Sequence, residues 1–88
     1  MNKINKSIRL SAHAKIQSQI RGASEEEIAD TIRFEKWQKS ELNKLEGKKD
    51  FVFNKILCGK SYKVKQLRPI FVEEEKEIVV VTVYVYYF

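Results

Sequence analysis

The sequence predicts an α+β protein in which an N-terminal helical pair packs on one face of a three- to four-stranded antiparallel sheet. Two short segments with helix start and stop signals come first, and segments rich in β-branched and aromatic residues follow. The chain ends in IVVVTVYVYYF, from Ile78 to Phe88, which is typical of a strand. Eighty-eight residues suffice for one core, so we expect a single domain over residues 1–88.

The first elements are predicted from local capping signals. Residues 8–10 are apolar enough for an edge strand. Ser11 is suited to cap a helix that runs through Arg21, where Gly22 supplies a left-handed stop. Apolar residues at four-residue spacing predict the buried stripe of this helix, which is Ala12, Ile16 and Ile20.

A second helix is predicted to begin after Ser24. Glu27 lies three residues later, as in a capping box, and Glu25 and Glu26 favour the positive helix N-terminus. Its predicted buried face consists of Ile28, Ala29 and Ile32.

The second half of the chain predicts the strands. Residues 35–54 fit either a helical continuation or a strand, and we favour a strand because of Phe51-Val52-Phe53. Residues 54–60 are expected to form a loop. Residues 61–72 then predict a strand in which Pro69 requires a bulge or an unpaired position. Residues 73–77 predict a charged hairpin turn before the last strand.

Alternation in the last strand predicts which groups share a face. Val79, Val81, Val83 and Val85 would pack on the helices, and Val80, Thr82, Tyr84, Tyr86 and Phe88 would face away. A three-residue turn would place Arg68 opposite Thr82 and Gln66 opposite Tyr84, although a slip of one residue would reverse the faces.

Composition narrows the function classes. The chain has one cysteine and one histidine, too few for an internal disulfide or a dedicated zinc site, and no metal or other cofactor is predicted. The sequence has no Gly-rich phosphate-binding loop, and it has no sequence motif of a Ser-His-Asp catalytic triad. No signal peptide is visible, and the terminal apolar run is shorter than the roughly 20 residues of a spanning helix. We therefore expect a cytoplasmic protein without a membrane segment.

The net charge of +5 is unevenly distributed, and residues 55–68 contain five cations and no acid. Such a segment suits a polyanion, most often a nucleic acid, although lysines that only solvate an exposed strand would give the same pattern. The predicted nucleic-acid-binding residues are Lys60, Tyr62, Lys63, Lys65 and Arg68.

Four residues are candidates for chemistry on RNA. His13 shares a helical stripe with Gln17 and Arg21 beside the predicted core stripe, although the pattern by itself favours a purely local role for His13 at the start of the helix. Lys65 could clamp a phosphate, and Tyr84 could stack on a base or donate a proton. The candidate catalytic set is therefore His13, Arg21, Lys65 and Tyr84.

Two blocks of sequence carry a resemblance to a known family. The first contains Ser11-Ala12-His13-Ala14 and Ser24-Glu25-Glu26-Glu27-Ile28. The second contains Lys65-Gln66, Pro69-Ile70 and the ending Thr82-Val83-Tyr84 with Tyr87-Phe88. Together they resemble a family of small uncharacterised prokaryotic proteins that is distantly related to the RelE and BrnT toxins.

The resemblance implies a RelE-like fold and a toxin that cleaves RNA without a metal and is neutralised by a small acidic antitoxin. His13 would act as base or acid, Arg21 and Lys65 as phosphate clamps, and Tyr84 as a second proton carrier. Two alternatives remain open. One is a non-catalytic module that binds nucleic acid or protein, and the other is a homodimer that buries Tyr84, Tyr86 and Phe88.

Overall fold

A computed structural model describes residues 6–88, and within this range the fold is α+β with two helices and six strands. In chain order the elements are β1 (Ser7–Leu10), α1 (Ala12–Arg21), α2 (Glu25–Phe34), β2 (Gln38–Lys39), a 3-10 turn (Glu41–Asn43), β3 (Leu45–Glu46), β4 (Lys49–Leu57), β5 (Lys60–Glu73) and β6 (Glu77–Tyr87). The sheet thus has more strands than the three or four predicted. It is also mixed, because β1 pairs with β6 in parallel.

The predicted helix boundaries are confirmed. The Ser11 hydroxyl accepts a hydrogen bond from the backbone N–H of Ala14, and Gly22 ends α1 with a left-handed φ of 83°. Ser24 and Glu27 form the full capping box at the start of α2. Local sequence signals therefore determine where both helices begin.

The predicted buried stripe of α1 is wrong. Ile16 and Ile20 are 58% and 79% exposed, and Ala14 and Ser18 are buried instead. The helix is rotated because it lies along the edge of β6 and directs Gln17 and Arg21 to the backbone of Val83. In α2 the prediction is better: Ile28 and Ile32 are fully buried and Ala29 is half-buried.

The strand order is β1-β6-β5-β3-β2, and β4 also pairs with β5. β3 and β4 follow the same edge of β5 in one register, so residues 45–52 behave as a single strand with an interruption at Gly47. The interruption lies opposite Pro69, which has no N–H to donate and accepts a hydrogen bond from the Gly47 N–H through its carbonyl oxygen. The strand favoured within residues 35–54 is confirmed in its second half.

β6 contains a bulge at Val81 that the alternation could not predict. Ile70 pairs with Thr82 whereas Phe71 pairs with Val80, so Val81 is the extra residue. Ile78 and Val80 are therefore buried against the helices in place of the predicted Val79 and Val81. Beyond the bulge, Val83 and Val85 contribute to the core as predicted.

The register of β5 and β6 differs from the prediction by two residues. Arg68 pairs with Tyr84 and Gln66 with Tyr86. One step comes from the turn, where Glu73 pairs with Ile78, and the second comes from the bulge. Because two steps preserve the alternation, the polar groups still lie on the sheet face away from the helices, as predicted.

The predicted loop over residues 54–60 is wrong. β4 continues to Leu57, and a tight turn at Cys58 and Gly59, with φ of 53° and 79°, leads directly into β5. The outer part of this hairpin, residues 53–63, is called the ribbon below. No helix within residues 6–88 is long and apolar enough to cross a membrane.

Candidate nucleic-acid interface

The sheet surface on the side away from the helices is called the open face. Its rows follow from the strand register: Val64 is hydrogen-bonded to Phe88, Gln66 is paired with Tyr86, Arg68 with Tyr84 and Ile70 with Thr82. β4 extends two of these rows, because Val52 pairs with Val64 and Asp50 with Gln66. The open face therefore brings arginine, tyrosine and polar side chains together on a rigid sheet.

Arg68 is at the centre of the open face. Its guanidinium carbon lies 4.9 Å from the ring centre of Tyr84 and 5.8 Å from that of Tyr86. The only carboxylate paired with it among residues 6–88 is Glu46, at a long 3.9 Å. Its Nε is buried and has no hydrogen-bond partner. A buried N–H without a partner is costly. Because Nε is shielded from solvent, a ligand would contact the exposed part of the Arg68 side chain, which is 33% exposed as a whole.

Arg21 reaches the same tyrosine from the helical layer. It donates a hydrogen bond of 2.7 Å to the carbonyl oxygen of Val83. Val83 lies beyond the part of β6 that pairs with β1. The guanidinium carbon then lies 5.7 Å from the ring centre of Tyr84. The structure thus brings together the predicted residues Arg21, Tyr84 and Arg68.

A cavity of about 470 Å³ opens above one end of the open face. Its floor is formed by side chains of β5 and β6, and its wall is formed by the segment that connects β2 to β3. The lining residues are Lys39, Ser40, Glu41, Leu42, Lys44, Glu46, Arg68, Ile70, Thr82 and Tyr84. This volume lies within the range of small-ligand sites. Three cations and two carboxylates line the cavity, which leaves an excess of one positive charge.

The wall of the cavity has an unusual backbone. Leu42 and Asn43 both have positive φ, of 56° and 61°, and the Leu42 side chain is 82% exposed. A left-handed conformation at leucine costs about 1–2 kcal/mol. The segment thus holds an apolar side chain in solvent at the rim of the cavity.

Lys65, a predicted phosphate clamp, lies on the opposite side of the sheet. Its Nζ is 2.9 Å from the Glu27 carboxylate and donates a hydrogen bond to the carbonyl oxygen of Gly22. Burial tends to raise the pKa of Glu27, but hydrogen bonds from Ser24 and Lys65 outweigh it and hold the pKa below its usual range. In this structure Lys65 connects the sheet to the start of α2.

Tyr87 belongs to the same connection between sheet and helices. Its hydroxyl donates a hydrogen bond to the carbonyl oxygen of Arg21. Burial raises the pKa of Tyr87, and the charge of Glu27 raises it further. Tyr87 therefore faces the helices, whereas its neighbours Tyr86 and Phe88 are on the open face.

His13 is exposed near the start of α1 and has no hydrogen-bond or ion-pair partner within the described part of the chain. It precedes Arg21 by eight residues, which is about 12 Å along a helix. The structure therefore does not bring His13 together with Arg21, Lys65 and Tyr84 around one point.

The remaining predicted nucleic-acid-binding residues lie on the ribbon. Lys60 has its Nζ 5.6 Å from the ring centre of Tyr62, and Lys63 is exposed nearby. Lys55 lies 5.8 Å from the ring centre of Phe53. The ribbon is thus a projecting basic arm, separate from the open face.

Sequence reasoning missed Lys39, Lys44 and Asp50. All three lie in residues 35–54, where the sequence left helix and strand open, so nothing placed them beside Arg68 or Gln66. The register of β4 with β5 could have indicated Asp50, because its partner Gln66 was already placed on this face.

Residues 6–88 contain no group of three or more His, Cys, Asp or Glu side chains arranged to hold a metal ion. Comparisons with protein-family models, with curated proteins and with solved structures found no match for this chain. The resemblance to RelE-related proteins therefore stays a prediction.

Proposed function

We propose that the protein binds single-stranded RNA on its open face. The observation that carries this proposal is Arg68, whose guanidinium lies over Tyr84 and Tyr86 and whose side chain is 33% exposed. Single-stranded RNA is recognised by stacking of its bases on aromatic rings and guanidinium planes, with cations along the phosphates. An anionic, aromatic ligand matches both properties of this surface.

The charge distribution supports RNA over a neutral ligand. The chain carries a net charge of +5, and Lys39 and Lys44 line the cavity next to Arg68. The ribbon adds Lys55, Lys60 and Lys63. Phosphate contacts by such side chains would give the salt dependence that is typical of nucleic-acid binding.

A toxin-like cleavage of RNA without a metal is the second candidate function. It is favoured by the position of Tyr84, whose ring contacts both Arg21 and Arg68. In such a reaction a base takes the proton of the ribose 2′-OH and the 2′ oxygen attacks the adjacent phosphorus. A 2′,3′-cyclic phosphate forms, the bond from phosphorus to the 5′ oxygen breaks, and that oxygen takes a proton. Arg21 and Arg68 would stabilise the charge on the phosphoryl oxygens, and Tyr84 would supply that proton.

This assignment changes two roles of the predicted catalytic set. Arg68 takes the place of Lys65, whose ammonium group is already bound by Glu27 and Gly22. His13 remains a candidate only for the base, and then only if RNA reaches along α1. A RelE-like fold and a small acidic antitoxin belong to the same proposal, since an acidic partner would complement the basic ribbon.

RNA binding is tested by fluorescence anisotropy with a short labelled single-stranded RNA at several salt concentrations. Arg68→Ala and Tyr84→Ala should each weaken binding about 5- to 150-fold, the range expected for one lost base-stacking or charged contact. Arg33→Ala is the matched control, because Arg33 lies on α2 in the helical layer. Equal affinity of all variants, or binding without salt dependence, would contradict the proposal.

Cleavage is tested separately by induced expression in cells and by incubation of RNA with the protein in the presence of a chelator. Tyr84→Phe keeps the ring and removes the proton, so it should abolish cleavage while leaving RNA binding intact. His13→Ala should do the same only if His13 is the base. If the wild-type protein is harmless to cells and binds RNA without cleaving it, the cleavage proposal is contradicted and the protein is a non-catalytic RNA-binding module. Release of growth arrest by a small acidic protein encoded next to this gene would support the antitoxin.

A further inference from the structure

The last strand carries three aromatic side chains in a line on the open face. Tyr84, Tyr86 and Phe88 alternate along the chain and are 37%, 43% and 57% exposed. Alternate residues of a strand are about 6.8 Å apart. That is about twice the 3.4 Å between stacked nucleotides, so bases bound to neighbouring rings would be separated from each other. The line therefore suits three consecutive unstacked nucleotides.

The three rows of the open face that contain these aromatic residues differ in what they offer to the edge of a base. Beside Phe88 lie only Val64 and Val52, which have no polar atoms in their side chains. Beside Tyr84 lies Arg68, whose charge suits a phosphate. Only the middle row places uncharged and charged polar groups together beside a ring, namely Gln66 and Asp50 next to Tyr86.

Gln66 and Asp50 are fixed relative to each other. The Gln66 side-chain amide donates a hydrogen bond of 2.7 Å to the Asp50 carboxylate. This bond orients the amide and leaves the second carboxylate oxygen and the amide oxygen free to accept. Adjacent strands lie about 4.8 Å apart, so a base stacked on Tyr86 would extend over Gln66 towards Asp50.

The chemistry of this pair selects among bases. An ionised carboxylate only accepts hydrogen bonds, so it requires an N–H on the base. Adenine, cytosine and guanine each present an exocyclic amino group on the Watson–Crick edge. Uracil presents a single N–H between two carbonyl oxygens, which the carboxylate would repel.

We propose that Asp50 and Gln66 read the middle of three nucleotides bound along Tyr84, Tyr86 and Phe88, and favour an amino-bearing base over uracil. This inference rests on the proposed RNA binding and adds a specificity determinant to it. The aspartate accepts from the amino group, and the glutamine holds the aspartate in place and contacts the neighbouring position of the base.

The test compares short oligo(A), oligo(C) and oligo(U) RNA by fluorescence anisotropy. Wild type should bind oligo(A) and oligo(C) about 5- to 150-fold more tightly than oligo(U), the discrimination of one good side-chain–base pair. Asp50→Asn should remove this preference, because an amide can donate to the uracil carbonyl oxygens. Gln66→Leu should reduce the preference, since Asp50 then loses its orienting partner.

The preference, not the affinity, is the readout, because removal of a negative charge strengthens binding of every RNA. Asp30→Asn is the matched control: it removes the same charge from α2 and should leave the ratio of affinities unchanged. RNA binding that depends on Arg68 but has equal affinity for the three oligonucleotides would overturn this inference alone. Absence of RNA binding, with or without self-association through the aromatic line, would overturn the proposed function as well.

Discussion

Lys65 and Glu27 form an ion pair between the sheet and the helical layer, in which the lysine Nζ of β5 lies 2.9 Å from the carboxylate at the start of α2. Lys65 also donates to the Gly22 carbonyl oxygen, and Glu27 also accepts from the backbone N–H of Ser24. One lysine therefore connects the central strand to the end of one helix and the start of the next. The Lys65 side chain is only 12% exposed, so this pair is better shielded from water than the other ion pairs among residues 6–88.

The first prediction is that Glu27→Gln destabilises the protein at neutral pH and not at acidic pH. At pH 7 the loss should be about 1–2 kcal/mol, because a half-buried Lys65 loses its charged partner. The pKa of Glu27 is lowered in the folded state, so the folded state binds fewer protons than the unfolded state near that pKa. Stability is therefore present above the unfolded pKa and is lost as the pH falls through the folded pKa.

Urea denaturation of wild type and Glu27→Gln at a series of pH values measures this effect. The difference between the two proteins should begin to narrow near about pH 4, the ordinary range of a glutamate, and should close at lower pH, because the pKa of Glu27 is lowered in the folded state. Glu26→Gln is the control, since Glu26 is exposed in the same helical turn and does not contact Lys65. A difference that stays constant across the pH series would contradict the role of the charge.

The second prediction concerns Gly22 and Tyr87, which should show coupled effects on stability. A Cβ atom at Gly22 would lie 2.7 Å from the Tyr87 hydroxyl oxygen, and φ is +83°. Gly22→Ala should therefore combine about 1–2 kcal/mol of left-handed strain with the displacement of a bonded hydroxyl. Tyr87→Phe alone should lose about 1 kcal/mol with its hydrogen bond to Arg21.

In the double variant the close contact is absent, so Gly22→Ala should cost less there than in wild type. A double-mutant cycle from urea denaturation curves measures the coupling, which we expect above about 0.5 kcal/mol. Strictly additive losses would show that the alanine methyl group does not meet the hydroxyl.

The third prediction follows from the orientation of α1. Ile16→Ser and Ile20→Ser should each change the free energy of unfolding by less than about 0.5 kcal/mol, because both side chains are mostly in solvent. Ile28→Ala and Ile32→Ala in α2 should each cost about 2–5 kcal/mol, since both are fully buried. Losses of stability at positions 16 and 20 as large as those at 28 and 32 would contradict this orientation and support the buried stripe that the sequence predicted.

The contacts of the two helices separate what is encoded locally from what depends on distant residues. The helix boundaries depend on contacts within a few residues, such as Ser24 with Glu27, and the sequence predicts them correctly. The buried face of α1 depends on two hydrogen bonds with Val83, more than sixty residues away: the Val83 N–H donates to the Gln17 side-chain oxygen, and Arg21 donates to the Val83 carbonyl oxygen. Apolar periodicity carries no information on such bonds, so it selected Ile16 and Ile20.

The candidate site was predicted in part for a similar reason. Alternation placed Tyr84 and Arg68 on one face. The actual register is shifted by two residues, which preserves the alternation, so both side chains remain on that face. Lys65 was assigned to phosphate binding by charge alone, and charge does not show that the partly buried carboxylate of Glu27 lies opposite. The open face was therefore recognisable, but the partners of each cation were not.

The fourth prediction is that deletion of Val81 unfolds the protein or severely destabilises it. Ile78 and Val80 face the helices before the bulge, and Val83 and Val85 face them after it. Without the extra residue, the alternation of β6 can direct only one of these two pairs towards the helices, so the other pair would turn to the open face.

Val81→Thr is the control, because it keeps the residue count and a β-branched side chain, and it should unfold at nearly the wild-type temperature. Thermal denaturation followed by circular dichroism compares the two. A deletion variant as stable as Val81→Thr would show that the strand can be re-registered without the bulge, and that the positions of Tyr84 and Tyr86 do not depend on it.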